Sequence, residues 1–304
     1  MPKFVSLNVR GIQNRSKRRS VFRWAKSINT DVLFLQETHS TYKDENIWRN
    51  EWHGTVVYSH GDSNCRGTAI FIRHNLEMKD LNTIYKSPDG RIVLVTVEIE
   101  QKPYVLINIY APNLPNCQVQ FYHQLKNLLK KYMSLNNNII IGGDFNVVLN
   151  ESLDKKGGVV EKKQQALSVL NTLLQTWDLV DIWRLRNPET RQFTWRQKND
   201  KIKCRLDYWL ISNFFQDSVY EVDIVPFIRS DHSAIILSVQ NDEQYERGKG
   251  YWKLNNSILD EAQFIQELTE AKLTWTNELL EVTDPRMKWE LIKYKIRVFC
   301  IKYC

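Results

Sequence analysis

The segment NNNIIIGGDFNVVL, residues 136–149, sets three isoleucines in a row before two glycines, then Asp144, Phe145 and Asn146. A short β-branched run bounded by asparagines and glycines has the length and composition of a buried strand. The carboxylate and amide beyond it allow two readings. Asp and Asn after a strand commonly serve the turn, by bonding their own backbone. Two residues apart in an extended segment, they would also point to the same side. There one can orient and deprotonate a water while the other holds it. The glycines would leave room for a substrate to approach.

The pattern of an apolar run closed by polar residues recurs. KFVSLN ends in Asn8, DVLFLQET in Gln36, Glu37 and Thr38, and PYVLINIYAPN in Tyr110 and a proline turn. CRLDYWLIS carries Asp207 inside it, and SDHSAIILSV begins with Ser230, Asp231 and His232. TAIFIR and RIVLVTVEI read as further strands. Helical spacing appears at residues 17–28 (Val21, Trp24, Ile28), 119–135 (Val119, Tyr122, Leu125, Leu129, Tyr132) and 161–177 (Ala166, Val169, Leu170, Leu173, Trp177). Many strands with a few long helices predict a layered α/β or α+β domain. There is no internal repeat and no low-complexity tract.

The composition changes near residue 240. QNDEQYERGKG reads as a linker between a domain at 1–240 and an extension at 241–304, where 257–282 and 286–303 have helical spacing. The last residues, FCIKYC, fall inside a helical pattern without a stop signal, which reads as a truncated end. Formal net charge is +7 for 304 residues. Residues 241–304 hold 10 Lys+Arg and 11 Asp+Glu, which leaves 32 and 24 in residues 1–240. The first part therefore carries the basic surplus and is the better candidate for an anionic partner such as nucleic acid. Five widely spaced cysteines without a CxxC fit a reduced, intracellular protein better than a disulfide framework or zinc site. MPKFVSLNVRG has no signal-peptide core, and no window has the length of a transmembrane helix.

Each polar cluster alone has an ordinary reading: a solvated Glu37, a satisfied His232, a packing Tyr110, a turn at Asn8. Together they form a donor set. Glu37 and Asp231 are hard oxygen donors suited to Mg²⁺, and Asn8 can support the metal or a phosphate oxygen. Tyr110, Asn146 and His232 can donate to a phosphoryl oxygen as charge builds. His232 needs a carboxylate to fix its tautomer, and Asp207 is the available one.

In chain order, SLNVRG, LFLQETH, INIYAPN, IIIGGDFN, CRLDYWLIS and RSDHSAI resemble the motifs of the endonuclease/exonuclease/phosphatase superfamily. The resemblance covers residues 1–240. It runs through the exonuclease III/AP-endonuclease branch and is nearest to the endonuclease domains of non-LTR, LINE-type retrotransposons. It implies a DNase I-like, four-layer αββα sandwich with the site at one edge of the sheets. It also implies Mg²⁺ (or Mn²⁺) held at Glu37 with Asn8 beside it, and Asp231 as the acid before the catalytic histidine. Tyr110 would contact phosphate, Asp144 would activate water with Asn146 as its phosphate-binding partner, and Asp207 would pair with His232. The implied reaction is phosphodiester hydrolysis on double-stranded DNA. The expected setting is a monomeric nuclease domain acting in the nucleus, without a membrane or a small organic cofactor.

FTWRQKNDKIKCRLDYW, 193–209, reads as a hairpin tipped by Asn199-Asp200, with Lys198, Lys201 and Lys203 around it. In the resembling endonucleases this hairpin reaches toward the DNA groove, and Thr194 matches a threonine near the site. An ordinary solvated hairpin is the alternative for the lysines. The basic run NRSKRRSVFRW, 14–24, can be a phosphate contact, a nuclear-localisation patch or a solvated helix face. GYWKLNNSILDEAQF resembles the segment that joins endonuclease to reverse transcriptase, yet no Tyr/Phe-x-Asp-Asp segment occurs in the chain. The expected function is a nicking endonuclease of a LINE-type element. The competing readings are an exonuclease III-type repair enzyme, a phosphatase on small or lipid phosphoesters, and a silent DNA-binding remnant.

Overall fold

The computed structural model describes residues 1–134, 137–158, 163–240, 256–280 and 284–303. The expected linker, 240–250, lies outside these from residue 241 onward, as do the residues YWKLN, 251–255, that follow it. The chain begins β1 (Lys3–Asn8), α1 (Arg15–Ser27), β2 (Val32–Gln36), α2 (Glu45–Trp52), β3 (Gly54–Ser59) and β4 (Thr68–Arg73). It continues β5 (Met78–Lys86), β6 (Ile92–Ile99), β7 (Lys102–Tyr110), α3 (Pro115–Tyr132) and β8 (Asn138–Asp144). Then come α4 (Glu151–Asp154), β9 (Lys155–Lys156), α5 (Gln164–Thr176), β10 (Leu179–Asp181) and α6 (Ile182–Arg186). The first unit closes with β11 (Trp195–Arg196), β12 (Lys203–Cys204), β13 (Asp207–Ser212), β14 (Val219–Val225) and β15 (Ala234–Val239). α7 (Ala262–Glu278) and α8 (Pro285–Tyr303) belong to a second unit, with the division at Asp242/Glu243.

Two six-stranded sheets form the first unit, in the orders β14-β15-β1-β2-β4-β3 and β10-β13-β8-β7-β6-β5. The β1/β2 and β7/β8 pairs are parallel and the neighbours around them antiparallel. The isoleucine run shows how the layers arise. Alternation along β8 sends Ile139 and Ile141 into the cluster beneath α3 and α5, and Ile140 into the cluster between the sheets. Phe4, Phe34, Leu106 and Trp209 share that inter-sheet layer with Ile140. Val21 and Phe22 of α1 and Trp48 and Trp52 of α2 cover the outer face of the first sheet. Helix, sheet, sheet and helix thus stack as four layers, the arrangement of the DNase I-like fold, and the expected fold class stands.

The glycines differ from expectation. A Cβ on Gly142 would lie 2.1 Å from the Trp209 ring, and one on Gly143 would lie 2.0 Å from the Ile109 carbonyl oxygen. Gly143 also has a φ of +140°. Their missing side chains make room for the neighbouring strands, not for a substrate.

The hairpin is short. β11 and β12 pair over two residues each, with Gln197–Ile202 between them, and β9 adds a third strand. Beneath it lies a buried ion network. Arg205, 1% exposed, donates to both oxygens of Asp154 and to Asp181, and its guanidinium lies over Trp183 and Tyr208. The second unit is an α7–α8 pair with a small core of Ile258, Phe264 and Cys300. No helix among the described residues is long and apolar enough to cross a membrane.

Candidate active site

Strand register alone brings three residues of the site together. Tyr110 pairs with Asp144 across β7/β8, and Asp144 with Asp207 across β8/β13. Three neighbouring strands therefore end with their polar residues side by side. The other sheet supplies Asn8 at the end of β1, Glu37 just past β2, and Asp231 and His232 just before β15. Ile140, Gly142 and Asp144 share one face of β8, so the carboxylate points at the opposite sheet.

There the Asn8 amide nitrogen donates to Glu37 Oε1 and Asp144 Oδ2, 2.9 Å each. Its oxygen accepts from the Arg10 amide at 3.1 Å. Asn8 thus couples two carboxylates from different sheets, and its oxygen is already engaged. The Ser230 hydroxyl pins the same turn by donating to the Asn8 carbonyl at 2.7 Å. Glu37 has a φ of +50°, an uncommon conformation for a non-glycine residue and one that gathers at functional sites.

His232 is buried between two acids, with Nδ1 2.9 Å from Asp207 Oδ2 and Nε2 3.8 Å from Asp144 Oδ2. Burial disfavours the charged imidazolium, but Asp207, then Asp144, overcome this and raise the ring to about 10. Burial and the nearby Asp207 push the Asp144 carboxyl up to about 7, against the pull of His232, Asn8 and the Asn146 amide. Burial, Glu37 and Asp144 hold the Tyr110 hydroxyl well above its ordinary value, so it stays a donor.

Asn146 does not continue the strand. Its φ is +50°, its amide donates to Asp144 Oδ1 at 2.9 Å, and its side chain donates to the Ala111 carbonyl at 2.8 Å. Turn chemistry and site chemistry therefore coexist: the turn fixes the Asp144 carboxylate. The extended Asp144–Asn146 geometry expected from spacing is replaced by this turn, although both residues line the same cavity.

Thr194 is fully buried, and its hydroxyl accepts from the Leu206 and Asp207 amides at 2.9 and 3.1 Å. Through these bonds the buried hydroxyl holds the start of β13 and Asp207 in place. Lys198 and Lys201 are exposed on the hairpin, while Lys203 is half-buried and pairs with Asp200 at 2.6 Å. Asp231 stands apart from the Asp144–Asp207–His232 group: its Oδ2 accepts from Arg10 at 3.2 Å and Trp195 Nε1 at 3.3 Å.

Asp144, Asp207 and His232 place ligand atoms within 4.8 Å of one another. With its ring protonated between two acids, His232 has no lone pair to give, so this trio is better read as a proton-holding group than as a metal cage. A hard cation fits Glu37 and its surroundings better. The donors there are carboxylates, and the buried Asp231 Oδ1 has no hydrogen-bond partner among the described residues.

A cavity of about 720 Å³ opens beside these groups. Glu37, Asp144, Asn146, Asp231 and His232 are among its polar lining, and Val147, Leu167, Trp195, Ile202 and Leu206 among its apolar lining. Sequence reasoning missed Trp195 and Arg10. Both lie inside the quoted motifs FTWRQ and SLNVRG, where an unpaired aromatic and an unassigned cation were the available signals.

The family described as Endonuclease/Exonuclease/phosphatase matches residues 5–232. Over 302 residues the chain is 28% identical to the Transposon TX1 uncharacterized 149 kDa protein of Xenopus laevis. That match takes in 98% of this chain and 22% of the relative, so the chain spans about a fifth of that protein's length. An AP endonuclease from Archaeoglobus fulgidus superposes with a TM-score of 0.65 at 20% identity, covering 79% of this chain and 100% of that one. A 3′ phosphatase from Neisseria, solved bound to a product DNA hairpin, superposes at 0.64 with 18% identity and the same coverage of both chains. At such identities the two structures speak for the fold.

Proposed function

The chain belongs to the endonuclease/exonuclease/phosphatase family, and from that premise we propose that it is a Mg²⁺-dependent DNA endonuclease of a LINE-type element, nicking duplex DNA to start target-primed reverse transcription. One observation carries the reading. Asn8 ties Glu37 to Asp144 across the sheets, and the Asp144 carboxylate in turn faces His232, held by Asp207. That is a cation-side carboxylate, a base and a fixed cationic donor around one cavity. The likeness to the Transposon TX1 protein supports the element type.

In this reading Glu37 holds the cation, with Asp144 and Asp231 on the same cavity wall. The bound cation would supply Lewis-acid stabilisation of charge on the phosphate. Asp144, raised toward neutrality, accepts the proton of the attacking water. His232, kept protonated by Asp207, donates to the phosphoryl group as negative charge develops. Tyr110 and the remaining Asn146 N–H are further donors. Lys198 and Lys201 follow flanking phosphates, and the nucleus is the expected place of action.

A second reading, an exonuclease III-type repair enzyme, draws on the apolar part of the cavity, which can receive a sugar turned out of the helix. The test is nicking of intact supercoiled plasmid against an abasic-site duplex, with and without Mg²⁺, beside Asp144→Ala. We expect Mg²⁺-dependent nicks on intact plasmid and a loss of 10²-fold or more, on the order expected for a general base, in the variant. Cleavage confined to the abasic duplex would favour the repair reading. A variant as active as the parent would remove Asp144 from the mechanism.

A further inference from the structure

Arg10 has no part in the chemistry above, yet its backbone is built into the site. Its φ is +45°, in the left-handed region that a non-glycine residue rarely adopts. Three contacts hold it there. The Arg10 amide donates to Asn8 Oδ1, the Arg10 carbonyl accepts from Lys17 Nζ at 3.1 Å, and the following Gly11 amide donates to the Glu37 carbonyl at 2.6 Å. The turn that fixes Asn8 and Glu37 is thus the turn that aims Arg10.

Its side chain lies at the cavity mouth, 68% exposed, with Nη1 3.2 Å from Asp231 Oδ2. An ion pair this open to solvent is weak. Asp231 also keeps its bond from Trp195 when the guanidinium leaves. A phosphodiester would offer Arg10 the same charge with a better match to its planar fork. Lys17 and Arg229 stand nearby and make this rim cationic. Lys17 is committed to the Arg10 carbonyl, and Arg229 donates to Ser16, so Arg10 is the cation of this rim that also reaches the cavity wall.

We propose that Arg10 is a substrate-phosphate residue: it rests on Asp231 in the free protein and transfers to a phosphodiester oxygen of the bound strand at the cavity mouth. The proposal deepens the nuclease reading and rests on it. It also gives Asp231 a second task, as the resting partner that holds the guanidinium extended over the opening.

The test measures binding of the full chain to a duplex oligonucleotide in EDTA, across a salt series, for the parent, Arg10→Gln and Arg10→Lys. Thermal melting checks that each variant is folded. Arg10→Gln should bind severalfold more weakly, and its slope of log affinity against log salt should be shallower by about 1. Arg10→Lys should keep the parent slope with intermediate affinity, because it keeps the charge without the fork. Asp231→Asn should tighten metal-free binding in the parent and do so less in the Arg10→Gln background. A folded Arg10→Gln chain with unchanged affinity and slope would overturn the proposal. So would unchanged binding with a lowered kcat, which would make Arg10 a positioning residue for Asp231. A parent that binds no duplex DNA at any salt would overturn the nuclease reading itself, separately from anything Arg10→Gln shows.

Discussion

His232 sits where burial and charge pull its protonation in opposite directions, and charge wins. Its ordinary value is 6.5, and the fold raises it to about 10. The protonated ring therefore stabilises the folded state fully below about pH 6.5, and that contribution is lost as pH rises toward 10. Without the Asp207 carboxylate the ring loses the larger of its raising charges and keeps Asp144 against burial, so it should titrate lower than in the parent. In metal-free protein, imidazole NMR should show His232 protonated through neutrality in the parent and losing its proton at a lower pH in Asp207→Asn. The parent should also lose more melting temperature between pH 6 and 10 than the variant does. A parent ring that titrates near 6.5 would contradict the assignment. At this scale the sequence was partly legible. Asp144, Asp207 and His232 could be named because acids and imidazoles at strand ends are conspicuous. The Asn146 turn was one of two open readings and the burial of Thr194 was not foreseen, since a side chain's direction past a strand end depends on φ values that spacing does not encode. Arg10 was overlooked for a different reason: an arginine in a basic chain is unremarkable until its partner, 221 residues away, is known.

The elements hold the site through their packing, and Gly142 of β8 shows how tightly. The Trp209 indole from β13 occupies the space beside its α-carbon. Gly142→Ala should cost roughly 1–3 kcal/mol in urea unfolding, as overpacking in a core does. A smaller ring partner, Trp209→Leu, should reduce that cost when combined with it, which a double-mutant cycle measures. Additive costs would mean the two residues do not meet. The strands and long helices followed from apolar periodicity: α1, α3 and α5 lie within a few residues of their expected spans. The strands of the hairpin and β9 are two residues each, too short for any periodicity to mark, and what supports them is the Arg205 network. That network joins residues 154, 181 and 205, a convergence only tertiary structure reveals.

For the whole molecule the relevant quantity is charge and where it lies. The basic surplus is confined to residues 1–240, and the compact unit Met1–Asp242 contains it. We expect duplex affinity to fall about 10³-fold or more from 50 to 200 mM salt if six or more phosphates are contacted. A chain cut after Asp242 should show the same slope and the same melting temperature for this unit. A flat salt response would count against DNA as substrate, and a reduced slope after the cut would assign part of the binding to α7 and α8. The division near residue 240 was readable as a change in composition, whereas the mating of two sheets was known only through the family resemblance.

That mating has a thermal consequence. Asn8, Glu37 and His232 ride on one sheet, and Tyr110, Asp144 and Asp207 on the other. The greasy layer between the sheets and the polar links across it keep the two halves in register. Warming softens such a layer before it melts. A slip of a few tenths of an ångström would leave every strand paired while spoiling the Asn8–Asp144 and Asp207–His232 alignments. Catalysis would then fade on heating while circular dichroism still reads a native fold, so turnover becomes the finer thermometer of how the halves are seated.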